Sequence, residues 1–181
     1  GAIDLKGTAR ALATNIAGSA RQGGSTLTQQ YVKQIRIEAA VAAGNEEGVQ
    51  AAQEPTITRK IQELRYAVAM EKKLSKKQIL ERYLNIAYFG DGAYGVESAA
   101  HHYFGTTAAN LDLAQSAMLA GLVQNPVAYD PVNHPEAAMN RRNIVLARMA
   151  QLNLISADQA RKAKATVFDK SKVFYPKNGC I

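Results

Sequence analysis

The sequence has one cysteine, no tryptophan and five prolines in 181 residues. The lone Cys180 has no partner for an internal disulfide, and it leaves no cysteine cluster that could hold a metal. No run of about 18 apolar residues occurs, so no segment is expected to cross a bilayer as a helix. No stretch shows the strict apolar–polar alternation of a strand followed by a turn. Ser-x-x-Lys and Lys-Thr-Gly are also missing, which excludes a serine acyl-transfer site of that type.

The charge is unbalanced, with 22 lysines and arginines against 15 acidic residues and a net charge of +7. This excess favours an anionic partner, such as a phosphorylated substrate, a phospholipid surface or a nucleic acid. No Lys/Arg-rich block alternates with aromatics and no zinc-finger spacing occurs, which argues against nucleic acid. Hydrophobic residues make up 47% of the chain, as expected for a globular protein with a core.

Apolar residues recur at helical spacing along most of the chain, which predicts an all-α domain. Ile57, Ile61, Leu64 and Val68 line one face of such a helix. Residues 39–53 are expected to form a helix extension and then an inserted loop. The other predicted helices cover residues 25–43, a segment from Pro55 to about 72, a segment capped by Ser75, 95–103, 112–123, 135–152 and a segment capped by Ser156.

The first polar cluster is Gly23-Gly24-Ser25-Thr26-Leu27-Thr28-Gln29-Gln30. It opens a predicted helix, whose unpaired N–H groups suit an anion such as phosphate. Thr26-x-x-Gln29 is also a capping-box pattern that starts many ordinary helices. Thr26, Gln30 and Lys33 share one helical face. Since helix capping does not explain a polar face that ends in a lysine, this face is the predicted ligand-binding side.

The second cluster is formed by Arg59, Lys60 and Glu63, within one helical turn. One interpretation is an exposed Arg–Glu pair, worth only about 0.3–0.5 kcal/mol. In the other, the cations bind phosphate oxygens while the carboxylate handles a proton, orients a sugar hydroxyl or helps to hold a metal ion.

Both clusters and several later motifs resemble the family 51 glycosyltransferases, the peptidoglycan polymerase domains of class A penicillin-binding proteins. The motifs keep the family's order, and the resemblance covers residues 1 to about 165. Besides residues 23–33 and 59–63, it rests on Tyr83-Leu84-Asn85, residues 88–105, Leu119-Ala120-Gly121-Leu122, Tyr129-Asp130-Pro131 and Arg141-Arg142-Asn143.

The resemblance implies a lysozyme-like helical fold at the outer face of a bacterial cytoplasmic membrane. It implies polymerisation of lipid II, a disaccharide-pentapeptide on undecaprenyl pyrophosphate. The 4-hydroxyl of the incoming unit attacks the anomeric carbon of the growing chain with inversion, and the lipid pyrophosphate leaves. The implied partners are lipid II, the nascent glycan chain, the membrane surface and inhibitors of the moenomycin type, with no nucleic acid.

The same resemblance assigns site residues. Glu63 is expected to be an essential catalytic carboxylate. No protein-held metal site is expected, although the chemistry leaves room for a divalent cation, Mg²⁺ or Mn²⁺, at the pyrophosphate. The expected contacts to the phosphate-sugar region of the donor are Ser25, Thr26, Gln29, Gln30, Lys33, Arg59, Lys60 and Arg142.

The sequence departs from the family pattern in two places. The family's first motif contains the glutamate that serves as base, and Gly1 matches the last glycine of that motif. The glutamate is therefore expected upstream of Gly1, and this chain is expected to be inactive by itself. The connection at residues 39–54 is longer than in many relatives. Residues 166–181 are expected to be a linker towards a transpeptidase domain.

Two other functions compete with this interpretation. A lysozyme-like hydrolase would need two carboxylates flanking a glycosidic bond. Lys33, Arg59 and Lys60 argue against it, because glycan hydrolysis has no pyrophosphate to hold. The second alternative is a non-catalytic module that binds a membrane surface or a glycan.

Overall fold

The computed structural model describes residues 26–175, and the chain divides into two compact units, residues 1–83 and 84–181. The described part holds eight α-helices and no β-strand; its only extended pairing is an isolated bridge between Tyr88 and Tyr94. The predicted all-α class is therefore confirmed. No helix among the described residues is long and apolar enough to cross a membrane. The helices are α1 (Leu27–Ala42), α2 (Glu46–Gln53), α3 (Ile57–Lys73), α4 (Lys76–Ile86), α5 (Val96–Phe104), α6 (Leu113–Leu122), α7 (Pro135–Gln151) and α8 (Ala157–Ala165).

Helix α1 begins where its capping box predicts. The amide of Gln29 donates to Oγ1 of Thr26 at 3.2 Å, and the amide of Thr26 donates to Oε1 of Gln29 at 2.9 Å. The two bonds satisfy donors that a helix start leaves unpaired. After α1 the chain reverses through Gly44, whose φ of +63° suits glycine.

The predicted loop within residues 39–53 was wrong over its second half, which forms α2. Asn45 caps this helix by accepting a 2.8 Å hydrogen bond from the amide of Gly48, and Glu46 and Glu47 stand in its first turn. Acidic residues at that end interact favourably with the helix dipole. The loop was predicted from the alanine- and glycine-rich composition, and this prediction missed a short helix with an ordinary N-cap.

Helix α3 buries a different side from the one that its apolar stripe predicts. Ile57 and Ile61 are 51% and 49% exposed, whereas Glu63 and Ala67 are 1% and 0% exposed. Thr56 caps this helix, so Pro55 precedes it instead of standing in its first turn as predicted. Helix α1 packs on both α2 and α3. The buried side of α3 carries the carboxylate of Glu63.

In the second unit, α6, α7 and α8 enclose a small core of Ala114, Ala117, Leu146 and Ala163. The three helices begin at capping residues or at a proline, as the local sequence predicts. Asp112 and Ser156 form capping boxes for α6 and α8, and Pro135 stands in the first turn of α7.

Residues 166–175, predicted as the start of a linker, are hydrogen-bonded to other parts of the second unit. Nη1 of Arg142 donates to the carbonyl of Thr166 at 2.6 Å, and Nζ of Lys170 donates to the carbonyl of Val132 at 2.9 Å. The sequence alone does not indicate these contacts, because they join residues 24 and 38 positions apart.

Candidate functional site

The predicted ligand-binding face of α1 is only partly free for a ligand. Gln30 is exposed, while Thr26 and Lys33 are half-buried. Gln29 is buried, and its Oε1 serves the capping box. Its Nε2 has no hydrogen-bond partner among the described residues. Ser25 lies outside the described residues.

Glu63 lies at the centre of the second cluster, with both carboxylate oxygens engaged. Nη1 of Arg59 donates to Oε1, and Nζ of Lys60 lies 3.2 Å from Oε2. Nε of Arg59 donates to the backbone carbonyl of Glu54, directly after α2. Because the Glu63 side chain is 1% exposed and that of Arg59 is 11% exposed, the interpretation as an exposed ion pair was wrong.

Lys33 of α1 belongs to the same electrostatic environment. Burial lowers its pKa first, the charges of Arg59 and Lys60 lower it further, and Glu63 raises it. Helices α1 and α3, which carry these four residues, pack against each other. Lys33, Arg59, Lys60 and Glu63 therefore form one cluster, which we call the cationic cluster.

The cationic cluster has more basic than acidic residues. Within the cluster, the three cations Lys33, Arg59 and Lys60 accompany the one carboxylate of Glu63. Charge-assisted bonds from lysine and arginine are the strong ones for phosphate oxygens. An anion beside Lys33 would offset the burial and the neighbouring cations that lower its pKa.

Sequence reasoning missed two long-range hydrogen bonds of α1. The hydroxyl of Thr28 donates to Oε1 of Glu71 on α3 at 2.6 Å. The hydroxyl of Tyr83 donates to Oε1 of Gln30 at 3.1 Å. They join residues 43 and 53 positions apart, a separation at which local spacing carries no signal.

Arg142 lies in the second unit with its guanidinium already bonded. It donates to the carbonyls of Lys164 and Thr166 at 2.9 and 2.6 Å, and to Oδ1 of Asn143. Its side chain is among the largest that are fully buried. These contacts give Arg142 a structural task, and its predicted contact with the donor stays a prediction.

The residues around Glu63 do not by themselves make a metal site. The carboxylate already binds two cations, whose charges repel a divalent ion. No group of three or more His, Cys, Asp or Glu side chains that could hold a metal occurs within residues 26–175. The divalent cation at the pyrophosphate stays a prediction in which the ligand's own oxygens would supply coordination.

Comparisons with known proteins confirm the family that the motifs indicate. The family described as Transglycosylase matches residues 1–150. Penicillin-binding protein 1A of Streptococcus pneumoniae is 41% identical over 152 residues, which are 84% of this chain and 20% of that protein. The protein of the same name from Aquifex aeolicus is 41% identical over 162 residues, which are 89% and 20% of the two chains. Penicillin-binding protein 1A/1B of Bacillus subtilis is 41% identical over 148 residues, or 81% and 15%.

A solved structure shares the fold. The crystal structure of penicillin-binding protein 1A from Haemophilus influenzae matches with a TM-score of 0.52 and 34% identity, over 61% of this chain and 16% of that one. The likeness confirms the lysozyme-like, helical fold class that the sequence predicts. The chain spans about a fifth of the length of these relatives or less.

Proposed function

This chain belongs to the transglycosylase family, and from that premise we propose that it is the peptidoglycan glycosyltransferase domain of a class A penicillin-binding protein. The substrate is lipid II. The oxygen of the acceptor 4-hydroxyl forms a bond to the anomeric carbon of the donor, on the face opposite the leaving group. The bond from that carbon to the pyrophosphate oxygen breaks, the hydroxyl proton passes to a base, and undecaprenyl pyrophosphate leaves.

The observation that carries this proposal is the grouping of Lys33 and Arg59 with Glu63 in the cationic cluster. The leaving pyrophosphate gains negative charge as the glycosidic bond breaks, and fixed positive charge lowers the barrier if it faces that group. Lys33 and Arg59 come from two different helices, α1 and α3. In this proposal the diphosphate contacts one cation from each helix.

Lys33 is suited to a group that binds and then releases an anion. Its pKa is lowered by burial and by its cationic neighbours. A phosphate placed beside it stabilises the charged ammonium and raises its pKa again. Donor affinity should therefore fall as the pH rises through the pKa of Lys33, at a lower pH than for an ordinary lysine.

Glu63 is best supported as a residue that acts through Arg59 and Lys60. Each oxygen of its carboxylate accepts from one of these cations, so the carboxylate holds both in one orientation. This arrangement supports a positioning role more strongly than proton transfer. The base would be the family glutamate that the sequence resemblance places before Gly1. The reaction would take place at the outer face of the bacterial cytoplasmic membrane.

Binding of a moenomycin-type phosphoglycolipid to this chain tests the phosphate assignment. Lys33→Ala and Arg59→Ala should each weaken the affinity by about 10- to 100-fold, since a hydrogen bond to a charged group is worth about 1.5–3 kcal/mol. Lys77→Ala, at an exposed lysine of α4, is the matched control and should leave the affinity unchanged. Equal affinity in all four proteins would refute the pyrophosphate assignment.

Polymerisation of lipid II tests the reaction itself, in a protein extended upstream to include the expected glutamate. The extended protein should form glycan chains, and Glu63→Gln should reduce their formation at least about 100-fold while phosphoglycolipid binding falls less. Cleavage of preformed glycan without polymerisation would support the hydrolase instead. Binding without either reaction would support the non-catalytic module.

A further inference from the structure

His102, in the second unit, lies between two hydrogen-bond acceptors. Its Nδ1 is 2.7 Å from the backbone carbonyl of Phe174, and its Nε2 is 2.9 Å from Oδ2 of Asp91. The residue is 1% exposed, so water does not compete for either ring nitrogen. His102 takes no part in the proposed transglycosylase chemistry.

The two contacts together require a proton beyond those of a neutral imidazole and an ionised carboxylate. A neutral ring has one N–H and one lone pair, and a backbone carbonyl can only accept. With Asp91 ionised, both ring nitrogens have to donate, and the ring is an imidazolium. If the carboxyl carries the proton instead, it donates to Nε2 while Nδ1 donates to the carbonyl. In either form His102 and Asp91 share one additional proton.

The segment that His102 holds has little else to fasten its end. Phe174 and Tyr175 are 57% and 54% exposed, so burial of apolar surface contributes little there. The amide of Phe174 donates to the carbonyl of His102 at 2.8 Å, and the hydroxyl of Tyr175 donates to Oδ2 of Asp91 at 2.7 Å. Every one of these bonds ends on His102 or Asp91. The start of the segment is held separately, because Phe168 packs edge-on against Phe104.

We propose that His102 and Asp91 form a proton-dependent latch, which holds Phe174 and Tyr175 against the second unit while the pair shares a proton and releases them when that proton is lost. Without the proton, one ring nitrogen would face an acceptor lone pair to lone pair at less than 3 Å. The buried arrangement then lacks a donor, which is costly inside a protein. Because a hydrogen bond to an ionised carboxylate is stronger than one to a neutral carbonyl, the ring keeps Asp91 and the carbonyl of Phe174 loses its donor.

The tyrosines around the latch do not lose their protons in the pH range where histidine titrates, so the His102–Asp91 pair is the switching element. The hydrogen bond to Asp91, followed by burial, raises the pKa of Tyr175 to about 12. Burial, with the charges of Asp130 and Asp91, raises that of Tyr103. Both tyrosines therefore stay protonated where imidazole titrates. The turn Lys170–Lys172 packs on α5, and the Lys170 amine is bonded to the carbonyl of Val132.

The sign of the pH dependence follows from the proton count. The docked arrangement binds one proton more than the released one, so acid favours docking and alkali favours release. For a single linked proton, the docking constant should fall by about tenfold per pH unit above the midpoint.

Nitrogen-15 NMR of the whole chain tests the latch, because the sequence has only three histidines to assign. At the acid end, the His102–Asp91 pair should hold the additional proton, and the Phe174 amide should be protected from hydrogen exchange after correction for intrinsic rates. As the pH rises, loss of that proton and loss of this protection should share one midpoint. Protection that does not change between about pH 5 and 8 would overturn the proposal.

Two variants and a matched control make the result specific. His102→Gln can donate to Asp91 but cannot titrate, so the Phe174 amide should lose its pH dependence. His101→Gln changes the neighbouring histidine, which is exposed and pairs with Glu97, and should leave the wild-type midpoint. An identical loss in both variants would overturn the latch.

The second variant covers the case in which His102→Gln does not fold. Tyr175→Phe removes a neutral donor from Asp91, which makes its carboxylate more dependent on the shared proton. The midpoint should therefore move to higher pH. An unchanged or lower midpoint would contradict the assignment of the proton to this pair.

Discussion

Thr28 and Glu71 join the first turn of α1 to the last turns of α3. The Thr28 hydroxyl donates to Oε1 of Glu71 at 2.6 Å, and Thr28 is 5% exposed. This hydrogen bond joins two side chains 43 residues apart and connects the two helices that carry the cationic cluster. The bond is charge-assisted, which makes it stronger than a bond between neutral groups.

Thr28→Val should lower the free energy of unfolding by about 1–2 kcal/mol. Valine keeps the shape of threonine but leaves the Glu71 carboxylate without its donor. Urea denaturation measures the loss. Thr58→Val, at an exposed threonine of α3, is the matched control and should change stability by less than about 0.5 kcal/mol. Similar losses in the two variants would mean that the exchange of threonine for valine in a helix, and not the bond to Glu71, sets the effect.

Gly95→Ala should destabilise the second unit far more than Gly44→Ala destabilises the first. Gly95 has a φ of +84°, and an added Cβ would lie 2.7 Å from the backbone oxygen of Asn85. Gly44 has a φ of +63°, and an added Cβ there would meet nothing within 4 Å. We expect about 2–4 kcal/mol at Gly95, from strain and overlap, and about 1 kcal/mol at Gly44, from strain alone. Thermal unfolding of the two variants makes the comparison, which equal losses would contradict.

Arg142→Met should cost about 3 kcal/mol, because it removes the buried guanidinium that donates to the carbonyls of Lys164 and Thr166. Arg148→Met, at an exposed arginine of the same helix, should stay within about 0.5 kcal/mol. Phosphoglycolipid affinity of the folded Arg142 variant separates the two possible roles. Unchanged affinity supports a structural role, whereas weak binding with normal stability would support the predicted contact with the donor.

Lys33→Met should stabilise the protein while it weakens phosphate binding. Burial and two neighbouring cations disfavour the charged ammonium in the folded state, which lowers its pKa below the ordinary value of 10.5. Methionine keeps most of the length without the charge, and we expect a gain on the order of 1 kcal/mol at neutral pH.

The advantage of Lys33→Met should shrink as the pH rises through the pKa of the folded lysine. In that range the unfolded chain still holds the proton that the folded chain has lost, so wild-type stability increases. Urea denaturation at neutral and alkaline pH measures this change. Lys77→Met is the control and should show no such trend. A destabilised Lys33 variant would mean that the ammonium contributes more through its bonds than it costs through burial.

The cationic cluster shows what residue spacing in the sequence can predict and what it cannot. Spacing alone placed Arg59, Lys60 and Glu63 within one turn and put Lys33 on a polar face. It could not tell a solvated ion pair from a buried one, since that depends on what α1 covers. The apolar spacing of α3 even pointed to the wrong side, because Ile57 and Ile61 remain half exposed.

By itself, the sequence determined the helical class and most helix starts, including the capping boxes at Thr26 and Ser156. Capping bonds join residues three positions apart, so their partners are already neighbours in the chain. Only the tertiary structure decided that Glu63 is buried between two cations, that Arg142 fastens the segment after α8, and that His102 meets Asp91 and Phe174. Those contacts join distant residues, or depend on which helix face becomes covered, and their energies arise only when packing removes water from charged groups.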